Sequence, residues 1–181
     1  GAIYNRIVAQ GNAGTDDLIR YLKSEDDDLF TAALQSVRVL PAGGDPSVGK
    51  ALEAAGEVFT ISPQRNGLIL EALAGRKDNE SRRMALANAV AISKMVDTEP
   101  EVVRVSAMKA LGTLDIPEAV PTLLAGAADN GGQGAVAEAA YTSLIFMENK
   151  DADTAIAKAM TAAGNKIDAA MIRIAKERRA A

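Results

Sequence analysis

Four stretches of this chain align with one another: AALQSVRVL from Ala32, LILEALAGR from Leu68, SAMKALGTL from Ser106 and AAYTSLIFM from Ala139. Their starting points are 36, 38 and 33 residues apart. Each follows a polar or acidic start and leads through a turn into a second segment with helical apolar spacing. That is a two-helix unit of about 35 residues, and a period in this range marks repeat architectures. One such hairpin cannot bury both of its sides, so it needs a neighbouring hairpin on each side. The feature leaves little room for any plan except stacked helical pairs.

Composition agrees. The 181 residues include 36 alanines, and aromatic residues make up only 3%. Alanine is the best helix former and lets helices approach closely, whereas a β-sandwich would want Val, Ile, Thr and aromatics. The expected class is all-α. Asp45-Pro46 and Ser62-Pro63 place a capping residue before a proline at the first helical position. Thr98-Glu99-Pro100-Glu101 and Asp115-Ile116-Pro117-Glu118 have capping-box spacing, and Gly43-Gly44, Gly75 and Gly164 fall where helices should stop. The phasing predicts helices over 3–10, 16–24, 27–40, 46–58, 64–74, 79–95, 99–113, 117–128, 134–148, 151–163 and 166–179.

Val103, Ala107, Ala110, Leu111 and Leu114 share one predicted face, and Val120, Leu123, Leu124 and Ala127 share another across the Asp115–Pro117 turn. In helix 79–95, Met84, Ala85, Leu86, Ala87, Ala89, Val90, Ala91 and Ile92 make it apolar nearly all round, as for a helix sandwiched in mid-array. Leucine at Ala87 or Ala110 is then expected to overpack the seam. The last helix would bury Ile167, Ala170, Met171, Ile174 and Ala175, with Arg173, Lys176, Arg178 and Arg179 largely elsewhere. It either caps the array or begins a further repeat.

Val103-Arg104-x-x-Ala107-x-x-Ala110-Leu111-Gly112-x-Leu114, followed by Ala119-Val120-Pro121-x-Leu123-Leu124, resembles a HEAT-like repeat of the short, PBS-lyase type. Residues 26–58, 62–95 and 130–163 keep the length and apolar frame without those letters. The resemblance implies an ARM-type superhelix, a right-handed α-solenoid of about five hairpins over residues 1–181, forming a single domain and a fragment of a longer protein. It also implies that the second helices line a concave face used to hold a partner.

Reactive chemistry finds little footing. The chain has no His, Cys or Trp, which removes the commonest general base and metal ligand along with thiolate chemistry. Gly132-Gln133-Gly134-Ala135-Val136-Ala137 has the letters of a dinucleotide fingerprint but follows a predicted helix instead of a strand. It reads as a linker. Ser106-Ala107-Met108-Lys109 fits S-x-x-K without the companion elements that chemistry needs, and Lys109 should point outward. Asp26-Asp27-Asp28 and Asp151-Ala152-Asp153 lack the glycine and glutamate of an EF-hand loop and suit helix N-termini instead. No cofactor or metal is expected. With a net charge of −4 and scattered cations, nucleic acid is not an expected partner.

The expected function is a non-catalytic scaffold that binds an unidentified protein or peptide on its concave face. Lys50, Glu53, Glu57, Arg83, Asn88, Glu118 and Thr122 lie opposite the apolar stripes and are the candidate binding residues, with solvated surface as the plain alternative. Asn88 is the lone polar residue in MALANAVAI. The alternative function is an accessory module of a bacterial multidomain enzyme, sugar-active or lyase-type, as the resemblance also implies. No apolar run reaches the length of a membrane span, so a soluble domain is expected. The start at Gly1 instead of Met reads as a cloning remnant or a processed end, either of which would leave out a targeting segment, so the compartment is not read from these residues.

Overall fold

Helix-forming residues in short runs, punctuated by Gly and Pro, produce helices and turns throughout. The structure, a computed structural model, describes residues 1–11, 15–43, 47–58, 62–164 and 168–180, the side chains of 56–58 and 179–180 excepted. It is 79% helix, with no strand among the described residues. The helices are α1 Ala2–Gln10, α2 Thr15–Leu22, α3 Asp27–Ser36, α4 Val48–Val58, α5 Pro63–Ala74, α6 Asn79–Ser93, α7 Glu101–Leu114, α8 Val120–Ala127, α9 Ala135–Phe146, α10 Lys150–Ala163 and α11 Ala169–Ala180. They match the eleven predicted helices one for one. The widest departure is α3, which ends at Ser36 and not at 40. A 3-10 turn, Pro117–Ala119, leads into α8, and a second, Asp129–Gly132, follows it.

Two compact units divide the chain, Gly1–Ala85 and Leu86–Ala181, with the boundary inside α6. In the first unit α1 packs on α3, α2 on both α3 and α4, and α4 on α5. In the second, α7 packs on α9, α8 on α9 and α10, and α9 on α11. Within the units, α1 and α3, α2 and α4, α7 and α9, α8 and α10, and α9 and α11 are thus paired two places apart, the relation expected when hairpins lie side by side.

Small residues set the spacing in the second unit. Ala107, Ala110, Ala127, Ala137 and Ala140 are buried with Leu111, Leu114, Leu123 and Leu144. All nine residues assigned to the two faces across the Asp115–Pro117 turn are buried. Gly112 and Gly126 are the points of closest approach. A Cβ on Gly112 would stand 2.6 Å from the Ser143 Cβ and 3.2 Å from its Cα. A Cβ on Gly126 would stand 3.0 Å from that of Ala140 and run into the Met108 sulfur. The Ser143 hydroxyl uses the same proximity to donate to the Met108 carbonyl at 2.9 Å.

Helix α6 departs from expectation. Of its apolar positions only Ala85 and Ala89 are buried, in line with Ser81; Ala87 and Ala91 are exposed and the others half-buried. It buries a single stripe at i, i+4 spacing and not its whole circumference. The overpacking expectation therefore splits. Ala110→Leu, at a fully buried site, should cost about 1–3 kcal/mol. Ala87→Leu, at an exposed one, should stay within about 0.5 kcal/mol. Urea unfolding of the two variants beside the parent checks both.

The caps also need correction. Asp26 does cap α3, accepting from the Asp28 and Leu29 N–H groups. Ser62 precedes Pro63 at the start of α5 but makes no side-chain cap bond, and Pro100, not Thr98, is the N-cap of α7. Neither of the two capping boxes forms: Pro100 takes the N-cap position in the first, and Asp115 of the second spends its carboxylate elsewhere, as described below. Asp45, Pro46, Gly44 and Ile167 lie outside the described residues. Lys109 is exposed and Ser106 buried, as the repeat frame requires.

Candidate functional site

Three arginines hold hairpin turns that lie far upstream in sequence. Arg76, 4% exposed, donates to the Leu40 carbonyl at 3.1 Å and to that of Val37, both just past the end of α3. Its Nε meets Asp78 at 2.9 Å and the Ser81 hydroxyl at 3.0 Å. Arg178 repeats the device: it donates to the carbonyls of Leu144 and, at 3.0 Å, Met147 at the end of α9, and meets Asp153 at 2.7 Å. Arg65 donates to the Ser24 carbonyl, pairs with Asp27 at 2.7 Å and lies over the Phe30 ring. Helix ends carry unmet carbonyls and partial negative charge, so a guanidinium fork satisfies both. Periodicity places Arg178 away from the packed side of α11; the structure turns it inward instead.

Asp115 works in the opposite direction. Sitting in the left-handed region at φ 50, it accepts from the Glu148 and Asn149 N–H groups at 3.1 Å each, and its carbonyl accepts from the Asn149 side chain at 3.2 Å. It thus fastens the α7–α8 turn to the α9–α10 turn. Asn149 in turn caps α10 by accepting from Asp151 N–H.

Two of these carboxyls titrate low. Burial raises Asp78, but the Ser81 N–H and hydroxyl and the Arg76 guanidinium together outweigh it and hold it below the usual carboxylate value. The hydrogen bond from Arg178 lowers Asp153 against a smaller effect of burial. A carboxyl with a depressed folded pKa contributes stability that is complete above its unfolded value, about 3.9, and is lost as pH falls from there through the lower folded one. The urea midpoints of the parent and of Asp78→Asn should therefore differ at pH 7 and converge toward pH 3.

The second unit carries a groove of about 430 Å³ between the end of α6, helices α7 and α8 and the start of α9. Val90, Val96, Met108 and Val136 supply its apolar lining, and Lys94, Arg104, Thr122 and Asp129 its polar groups. Arg104 is 8% exposed, and its Nη2 meets the Asp129 carboxylate at 3.0 Å while Nε–H has no partner. The first unit carries a wider, more open hollow of about 790 Å³, floored by Tyr4, Leu34, Val39, Leu68 and Ala72 with Arg38 and Glu71 beside them. Val39 and Leu68 are exposed there.

Of the seven residues chosen from sequence, Thr122 is the one that lines the groove of the second unit. Lys50, Arg83 and Glu118 are exposed, and Glu53 and Asn88 half-buried. The Glu57 side chain lies outside the described residues. Arg104 was missed, although a signal existed: residues 104, 107, 108 and 111 form an i, i+3, i+4, i+7 stripe, and all four are buried. A charge in a buried stripe is uncommon and calls for a reason.

Comparison with family models, with curated proteins and with solved structures finds no match.

Proposed function

We propose that the chain is a HEAT-like α-solenoid scaffold, non-catalytic, that binds protein or peptide. The observation that carries this reading is the reach of its polar ties. Arg76 bonds to carbonyls 39 and 36 residues back, Arg178 to carbonyls 34 and 31 back, and Asp115 to amides 33 and 34 ahead. Those separations, from 31 to 39 residues, fall around the 33 to 38 of the sequence repeat, as nearest-neighbour stacking of like units requires. Packing of α1 on α3 and α2 on α4 in the first unit, and of α7 on α9, α8 on α10 and α9 on α11 in the second, supports the same arrangement. In such a scaffold Thr122, in the groove of the second unit, contributes to the binding surface.

Binding is tested by selecting a displayed library of random dodecapeptides on the immobilised protein. The expected result is a family of related peptides that, resynthesised, bind in solution and shift amide resonances of residues lining the groove or the hollow. Selection that enriches nothing over a column without protein would count against the scaffold reading.

A further inference from the structure

The groove of the second unit has a chemistry of its own. Its walls are Val90, Val96, Met108 and Val136, and its charged groups are Lys94, Arg104 and Asp129. Two cations face one anion. That anion takes a single N–H of the Arg104 fork, and the adjacent Nε–H is left buried and unmatched. A buried guanidinium is stabilised by two-pronged carboxylate contacts, and an unmet donor away from water is costly. The groove therefore presents an apolar trough with incompletely neutralised positive charge along it. At about 430 Å³ it matches the size of sites that take a few side chains.

We propose that this groove is a subsite for an acidic residue flanked by aliphatic ones in an extended peptide segment, the carboxylate being held by Arg104 and Lys94. This rests on the scaffold reading and names the chemistry of its partner. The flanking aliphatic side chains lie against Val90, Met108 and Val136, where the thioether of Met108 adapts to their shape. Asp129 is the internal competitor for the same guanidinium, so its charge opposes that of the incoming acid.

The test uses the intact, 15N-labelled chain titrated with Ac-Ser-Leu-Glu-Leu-Ser-NH2 and with its Gln counterpart. The Glu peptide is expected to shift the amides of Val90, Met108 and Val136 and the Arg104 Nε–H, and to bind at least tenfold more tightly than the Gln peptide. Asp129→Asn keeps an oxygen acceptor beside Arg104 while removing the competing charge, and should tighten binding of the Glu peptide about threefold. A merely structural role for the Arg104–Asp129 pair predicts weakening instead. Arg104→Met should abolish the preference for Glu, with the dispersion of the spectrum reporting its fold. Equal affinity for the two peptides in the unsubstituted protein would overturn the acid preference and leave peptide binding standing. Shifts elsewhere, or none with either peptide, would overturn the groove as the site, whereas the library selection decides the scaffold reading separately.

Discussion

Replacing Arg76 with methionine is expected to lower the unfolding free energy by about 3 kcal/mol, near the lower end of what removing one partner of a buried ion pair costs. The side chain is 3% exposed and that of Asp78 17%. Methionine fills similar volume, so the loss is chiefly polar. The Val37 and Leu40 carbonyls lose their donor, and Asp78 keeps only the Ser81 groups. Arg76→Lys should fall between parent and methionine, because an ammonium keeps the charge but cannot span two carbonyls, a carboxylate and a hydroxyl as a planar fork does. Urea unfolding followed by circular dichroism measures all three proteins. A loss below about 1 kcal/mol for methionine would show that the turn after α3 finds other partners, and the account of Arg76 as its clamp would fail.

Asp115→Ala should cost about 2–3 kcal/mol, from two separable causes. Removing a carboxylate that accepts two backbone amides resembles loss of a helix cap, worth about 1 kcal/mol and up to about 2. Placing alanine at φ 50 adds about 1 kcal/mol, because its Cβ crowds the following carbonyl in the left-handed region. Asp115→Gly should recover most of that second part. Asp115→Asn, which tolerates the same backbone and retains an acceptor oxygen, should lose least. Should Gly and Ala variants prove equally unstable, the backbone share of the argument is wrong, and the whole effect belongs to the carboxylate.

The contrast between these two residues shows what a sequence discloses. Helix positions were legible because apolar spacing and terminal signals such as Pro63, Gly75 and Gly164 act within one turn of chain. The faces of α7 and α8 were legible for the same reason, since each is a local stripe. The use of Asp115 was not. Its letters fit a local capping box, and only the arrival of Glu148 and Asn149 beside it offered better donors. Arg178 was likewise assigned outward by periodicity, while the carbonyls it meets belong to another helix. The lining of the groove mixes residues from α6, α7, α8 and α9, so a rule that looked for polar residues opposite apolar stripes found Thr122 and passed over Arg104. Helix α6 misled for a different reason: alanine is equally at home exposed or buried, and a run of alanines does not say which side is covered.

The backward reach of Arg76 has a consequence for synthesis. A chain emerging from its N-terminus exposes the Leu40 carbonyl well before its clamp exists, because Arg76 follows 36 residues later. At ordinary elongation rates of about 5–20 residues per second that delay lasts about 2–7 s. Each hairpin closed this way is finished by the one made after it, so nascent helices wait, loosely seated, for a latch still inside the ribosome.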